Sequence, residues 1–208
     1  MIGSEAEARA FCAARTDSAG VARLDRLAEM LADENERQNL VSSASLEAVW
    51  QRHFADSLQL LDHAPRQASR WLDLGSGAGF PGLALAAAVP ATTMILVESR
   101  KRRAEWLIRA AAALGLKNCR VIGARLENVE TFPAAVITAR AFAPLGKLLE
   151  LSARFSTRDT AWLLPKGRSA AQELADQPVR VREMFHVEQS RTDPAGGILV
   201  GQGAPEVR

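Results

Sequence analysis

The sequence predicts an α/β protein: a mostly parallel sheet with helices on both faces, plus an N-terminal helical extension. Three observations lead there. From residue 71 onward, short apolar runs alternate with helical patterns, and repeated strand–helix alternation requires a parallel sheet covered on both sides. The first of these runs, Trp71-Leu72-Asp73-Leu74, enters the loop Gly75-Ser76-Gly77-Ala78-Gly79-Phe80-Pro81-Gly82 and then the helical run LALAAAV. A strand, a glycine loop and a helix start form a common nucleotide-binding geometry. The first 64 residues lack such alternation and read as helices. We therefore expect a helical extension over residues 1–64 packed on a core over residues 65–208.

Within the extension, residues 4–15 and 20–38 have helical patterning, with Val21, Leu24, Leu27, Met30 and Leu31 at helical spacing in the second. Asn39-Leu40-Val41-Ser42 breaks that run. Ser45 is expected to N-cap a third helix over residues 46–62, in which Trp50, Phe54, Leu58 and Leu61 form an apolar stripe. His53 and Asp56 share another face. On local grounds they read as a packed histidine beside a surface Arg52–Asp56 pair worth about 0.3 kcal/mol. A loop at residues 65–69 leads into the core. Strands are expected at 71–74, 93–97, 119–122, 135–138, 160–164, 179–187 and 197–201, seven in all. Helices are expected at 81–88, 100–114, 144–154 and 168–175. The last two strands lie close together around Pro194-Ala195-Gly196, which predicts a hairpin and an antiparallel edge.

The chain has 208 residues, 48% hydrophobic and 24% charged, which is ordinary globular composition. No apolar run is long enough for a membrane span, and the acidic start MIGSEAEARAF lacks the apolar centre of a signal peptide. Cys12 and Cys119 form neither a disulfide framework nor a metal pattern. These features imply a soluble cytoplasmic protein with no membrane partner and no metal. The charge is unevenly spread. Residues 1–40 carry eight acids against five arginines, whereas residues 98–125 carry eight basic residues against Glu98 and Glu105. Arg100-Lys101-Arg102-Arg103 stand at an expected helix start, where cations oppose the macrodipole. Helix stability does not explain them; contacts with the phosphates of a polyanionic partner would.

The glycine spacing narrows the ligand. A dinucleotide fingerprint would read G-x-G-x-x-G, but Phe80 stands at the third glycine's place and the pattern is D-x-G-x-G-x-G. That pattern resembles the first motif of the class I S-adenosylmethionine (SAM) methyltransferases, which are Rossmann-like. A nicotinamide enzyme and a plain strand–helix turn are the alternatives. Glu98 follows Gly75 by 23 residues at the end of the second strand, where an acid is placed to accept hydrogen bonds from ribose hydroxyls. Farther on, Arg125-Leu126-Glu127, Arg140 and Lys166 all fall just after expected strands. Ligands of open α/β sheets bind at those carboxyl ends.

Several segments, in order, resemble the RsmG (GidB) family of bacterial 16S ribosomal RNA guanine-N7 methyltransferases. They are NL at 39–40, RHFADSL at 52–58, DLGSGAGFPGL at 73–83, ESRKRRAEWL at 98–107, ARLE at 124–127, TARAFAPL at 138–145 and LPKG at 164–167. The resemblance implies a SAM-dependent enzyme that methylates N7 of a guanine, guanine 527 by family. With the glycine-loop argument it gives a cofactor set of Gly75, Ser76, Gly77, Phe80, Glu98, Leu126, Glu127 and Arg140. Arg140, Lys166 and His53 become candidates for positioning the base and its phosphate. The implied partner is 16S ribosomal RNA, the small subunit or an assembly intermediate, bound by a monomer through Arg100, Lys101, Arg102 and Arg103. Two departures stand out: the family usually has Lys-Arg at Arg102-Arg103, and two adjacent acids at Glu127-Asn128. A SAM enzyme acting on another RNA, a protein or a small molecule is an alternative, as is a non-catalytic SAM-sensing RNA-binding module.

Overall fold

Short polar side chains set the first helix starts. Ser4 accepts the Glu7 N–H ahead of α1 (Glu5–Ala13), and Asp17 accepts the Gly20 N–H ahead of α2 (Ser18–Gln38), so each satisfies an otherwise orphaned donor. Leu24, Leu27 and Leu31 of α2 are fully buried. The computed structural model describes residues 1–66 and 68–206. Gln67, in the loop expected at 65–69, and residues 207–208, at the end of the expected core, lie outside the described residues.

The third helix departs from expectation. Ser42, not Ser45, caps α3 (Ser43–Glu47), accepting the Ser45 N–H on its hydroxyl. The expected single helix over 46–62 is broken into a π-helical turn at Trp50–Ala55, a short α4 (Asp56–Leu58) and a 3-10 turn at Gln59–Asp62. The cause is tertiary. The Glu5 carboxylate of α1 accepts the backbone N–H groups of Trp50 (3.0 Å) and Gln51 (2.7 Å), so this segment starts afresh against α1. The π-helical turn buries Trp50, His53, Phe54 and Ala55; such π turns recur at functional sites.

The sheet has seven strands: β1 (Arg70–Leu74), β2 (Thr93–Val97), β3 (Cys119–Ile122), β4 (Val136–Ala139), β5 (Ala161–Lys166), β6 (Phe185–Gln189) and β7 (Gly197–Gln202). Their order is β3-β2-β1-β4-β5-β7-β6. The first five run parallel, and β7 runs antiparallel to both β5 and β6, so the expected hairpin edge is present. The interleaved helices are α5 (Gly82–Ala88), α6 (Lys101–Ala113), α7 (Leu145–Ser152), α8 (Ala170–Ala175) and α9 (Val179–Arg182). The strand expected over 179–187 is therefore partly α9. Pro178, with φ −52° just before it, presets the chain for a helical turn, and strand pairing starts only at Phe185.

Two buried clusters sandwich the sheet. One joins Leu24, Leu27 and Phe54 of the N-terminal helices to Leu83, Trp106 and Leu107 of α5 and α6. The other joins Leu72, Leu74 and Ile137 to Leu148, Trp162 and Phe185. The strand order reverses between β1 and β4, which makes the carboxyl ends of those strands the place where a ligand crevice forms. Among the described residues, no helix is long and apolar enough to cross a membrane.

Candidate active site

β1 delivers the chain into its glycine loop through a buried carboxylate. Asp73 Oδ2 accepts the Gly82 N–H at the start of α5 (3.1 Å), and Oδ1 accepts the Thr138 hydroxyl from β4 (3.0 Å). Burial raises its pKa against the lowering pull of those hydrogen bonds. Gly75 has φ +64°, and a Cβ there would lie 2.6 Å from Cδ2 of Phe142. Only glycine meets both demands, a left-handed backbone and a close approach.

Gly75 forms part of the floor of a cavity of about 340 Å³. The strand ends Leu74, Val97 and Ser99, the turn Ala124–Glu127, and Phe142, Ala143 and Leu151 complete it. Its walls suit the adenosine part of a nucleoside cofactor: apolar side chains form most of the lining, and Ser99 and Glu127 supply polar groups. Of the cofactor-binding residues expected from sequence, Gly75, Leu126 and Glu127 line this cavity, and Ser76, Gly77, Phe80 and Glu98 do not. Glu98 is 4% exposed and acts as a latch. Its Oε2 accepts the Gly77 N–H (2.9 Å) and its Oε1 the Arg100 N–H (2.7 Å), tying the loop to the start of α6. Each oxygen retains a second lone pair for a ligand hydroxyl. The Ser76 hydroxyl donates to the Asp73 carbonyl, and Phe80 is packed beneath His53.

A second cavity of about 560 Å³ opens beside the first. It is lined by Arg140–Pro144, Pro165–Gly167, the start of β7, Ser190, Thr192 and Asp193, and Arg52 and Asp56 of the N-terminal helices. Arg140 is held rigidly at its edge. Its Nη1 donates to Asp56 Oδ2 (3.2 Å) and to the Arg52 carbonyl (3.0 Å), and its Nη2 lies 3.0 Å from His53 Nδ1. The guanidinium also sits 5.2 Å from the centre of the Phe80 ring.

His53 lines neither cavity. It is 5% exposed and stacks on Phe80 at 4.5 Å with an interplanar angle of 11°. Burial, then the charges of Arg140 and Arg52, pull its pKa down to about 3, so the ring is neutral. An arginine can only donate; Nδ1 is therefore the acceptor and the proton sits on Nε2. That Nε2 is buried without a partner among the described residues. His53 reaches the site only through Arg140.

Lys166 does line the second cavity, with a side chain 9% exposed. Its ammonium donates to the Ala143 carbonyl and to Glu173 Oε2, both at 2.8 Å. Glu173 Oε2 also accepts the Leu145 N–H at the start of α7 (2.9 Å), and Oε1 accepts from Ser169 (2.8 Å). Burial pushes the Glu173 pKa up, but the hydrogen bonds from Lys166 and Ser169 and the charge of Lys166 outweigh it and hold the pKa low. The Arg52–Asp56 pair expected on local grounds is not formed among the described residues. Asp56 binds Arg140, Gln59 and Thr192, while Arg52 faces Asp193 at 3.7 Å.

The basic run divides by role. Arg100 and Lys101 are exposed, Lys101 by 90% and only 4.0 Å from Glu105. Arg102 donates to the Arg37 carbonyl in the last turn of α2 (2.9 Å), where a cation complements the helix dipole. Arg103 is half-buried, with Nη1 3.7 Å from where a Gly77 Cβ would stand, so it borders the glycine loop.

Sequence reasoning singled out neither Phe142, Asp56, Glu173 nor Thr192 for the site. Phe142 and Asp56 sit inside motifs that were noticed for other residues. Glu173 has near partners in Lys166 and Ser169, but its contact with Leu145, 28 residues away, carries no local signal, nor does that of Thr192 with Asp56, 136 residues away.

This sheet order, with a glycine loop after β1 and paired cavities at the carboxyl ends, defines the class I SAM-dependent methyltransferase fold. Solved structures agree. A SAM-dependent methyltransferase from Aquifex aeolicus superposes with a TM-score of 0.60 at 15% identity, covering 82% of this chain and 98% of that one. A ribosomal protein L11 methylase from Lactobacillus delbrueckii subsp. bulgaricus gives 0.56 at 14% identity, covering 72% and 77%. Identities this low establish the fold alone. Sequence comparison goes further. The family model described as rRNA small subunit methyltransferase G matches residues 21–193. The ribosomal RNA small subunit methyltransferase G of Erythrobacter litoralis is 60% identical over 203 residues, 98% of each chain. That of Novosphingobium aromaticivorans is 54% identical over 204 residues, covering 96% of this chain and 88% of its own. The chain belongs to the rRNA small subunit methyltransferase G family.

Proposed function

We propose that the chain methylates N7 of a guanine in 16S ribosomal RNA, using SAM, and that it does so as a monomer. The observation that carries this reading is the pair of adjoining cavities at the carboxyl ends of β1, β4 and β5. One has the walls of an adenosine site, and the other is large enough for a nucleotide extruded from its stack. SAM, when bound, supplies an electrophilic methyl group. Gly75 lets the cofactor approach the backbone, Leu126 and Glu127 flank the adenine, and Glu98 holds the loop in shape. Arg140, oriented by Asp56 and His53, presents a positioned cation at the entrance to the second cavity.

The pairing of the polar groups around the second cavity supports N7 as the nucleophile. Guanine N7 carries a lone pair and no proton, so the reaction needs no general base. His53 is neutral, but the one lone pair of its ring accepts from Arg140, and it lines neither cavity. The carboxylates of the second cavity, Asp56, Glu173 and Asp193, face Arg140, Lys166 and Arg52. Alignment rather than proton transfer then supplies much of the rate. Arg100 and Lys101, exposed beside the loop, would hold the RNA backbone. The test is incubation with labelled SAM and unmethylated small subunits or 16S RNA, followed by nucleoside analysis. 7-Methylguanosine, with strand cleavage after borohydride and aniline, is the expected product. Label in any other nucleoside, or in protein, would overturn the reading.

A further inference from the structure

Where the two cavities meet, Phe142 and Ala143 alone among the described residues line both. A methyl group passing from one ligand to the other must cross beside these residues. Six of the seven phenylalanines already have an aromatic or cationic partner. Phe11 lies under Arg15, Phe54 and Phe80 meet each other, Phe132 meets Phe155, and Phe185 meets Trp162. Among the described residues Phe142 alone has none, and its ring is partly exposed.

The backbone around Phe142 is held on both sides. Arg140 is anchored by Asp56, His53 and the Arg52 carbonyl. Lys166 grips the Ala143 carbonyl, and Glu173 grips the Leu145 N–H. Between these anchors Ala141 adopts φ +53°, a left-handed conformation that costs an alanine about 1–2 kcal/mol. Strain of this kind persists only where the surroundings over-determine it. Its effect is to set the Phe142 ring against Gly75, at the junction of the cavities.

Resting on the function proposed above, we propose that Phe142 is the stacking platform for the target guanine and stabilises the positive charge that the base acquires. In the transfer the N7 lone pair forms the new N–C bond, and the electron pair of the C–S bond stays on sulfur. The positive charge moves from sulfur to the purine and no proton leaves. An aromatic face attracts a cation, more strongly when the site is desolvated, and stacks on a purine. One ring at the junction therefore serves both the flat base and the charge that arrives on it. Glu173 and Lys166 act on this step as positioning residues, through the backbone that carries the ring.

The test replaces Phe142 with mono-, di- and trifluorinated phenylalanine, which keep the ring's shape while draining charge from its face, and with leucine. Single-turnover methylation of small subunits at saturating SAM should slow progressively along the fluorinated series. Phe142→Leu should be slower by about tenfold or more. Across the fluorinated series, which keeps the ring's shape in the cofactor cavity wall, binding of S-adenosylhomocysteine by calorimetry should stay within about threefold of wild type, and the discrimination between methylated and unmethylated 16S RNA should shrink in step with the rate. A flat fluorinated series, or a leucine variant as fast as wild type, would overturn the role of Phe142. If Phe142→Leu does not fold, the fluorinated series still decides. Wild-type protein that makes no 7-methylguanosine would instead remove the underlying reading.

Discussion

Acid should destabilise this protein through His53, and the size of the effect follows from its burial. The ordinary histidine pKa of 6.5 falls to about 3 in the folded chain. Between those values the unfolded chain binds a proton that the folded chain refuses. The contribution is therefore complete above pH 6.5 and is lost as the pH falls toward 3. From pH 6.5 to 4.5 the loss is two pH units at 1.36 kcal/mol each, or about 2–3 kcal/mol. The comparison protein is His53→Gln, whose amide oxygen can still accept from Arg140 but does not titrate. Urea unfolding of both proteins across this range isolates the histidine. Glu34 and Glu173, whose pKa values are lowered, also lose stability in acid, and the raised Asp73 acts in the opposite sense. All three are present in both proteins and cancel in the difference. The wild type should lose about 2–3 kcal/mol more than the variant. Parallel pH profiles would show that His53 is not held neutral by burial, and the tautomer assigned above would fall with it.

Three other outcomes are expected. Gly75→Ala should cost about 1–2 kcal/mol from its left-handed φ alone. Its Cβ would also displace Phe142, so SAM binding by calorimetry should weaken at least about tenfold, the equivalent of 1.4 kcal/mol; unchanged affinity would remove Gly75 from the cofactor site. Replacing Arg100 and Lys101 together with alanine should weaken RNA binding at all sequences and reduce the slope of log affinity against log salt by about 1–2. SAM binding should be unaffected, and an unaltered slope would return both residues to the role of exposed surface charges. Asp56→Asn should leave S-adenosylhomocysteine affinity nearly unchanged but lower single-turnover methylation, because Arg140 loses its counter-charge while keeping its packing; wild-type rates would show that Arg140 needs no anchor.

The features legible in the sequence are those created by near neighbours. The strand–loop–helix unit from Trp71 to Ala88 announces itself because its glycines, its proline and its apolar runs are contiguous in the chain. Glu98 was visible as an acid after β2, although its contacts here are with the Gly77 and Arg100 N–H groups. What stayed hidden depends on distant partners. Residues 46–62 have helical periodicity, yet Glu5 reaches across 45 residues to cap Trp50 and reset the winding. His53 and Asp56 read as an ordinary helix face because Arg140, which joins them, comes from a strand end more than 80 residues later. The Arg100–Arg103 run gives no local sign that Arg102, still exposed, also donates to the Arg37 carbonyl of α2, because that partner lies 65 residues away.

The charges around the second cavity bear on how one surface would serve both a polyanion and a base, as the proposed function requires. Arg52, Arg140 and Lys166 face Asp193, Asp56 and Glu173, three cations matched by three anions. A pocket so balanced has little net attraction for phosphate, so on the function proposed above it would not compete with the exposed Arg100 and Lys101 for an RNA backbone. Coulombic attraction between exposed charges falls off over a Debye length of about 10 Å at 0.1 M salt, which suits capture of the strand outside the pocket and leaves base selection to contacts inside it. The balance also suits the proposed reaction. A surplus of arginine and lysine charge would oppose the cation formed at N7, whereas a surplus of carboxylate would hold the methylated base and slow its release. With each charge paired, the proposed role of Phe142 is to supply, at the junction, an uncharged group whose interaction with the base strengthens as the positive charge arrives.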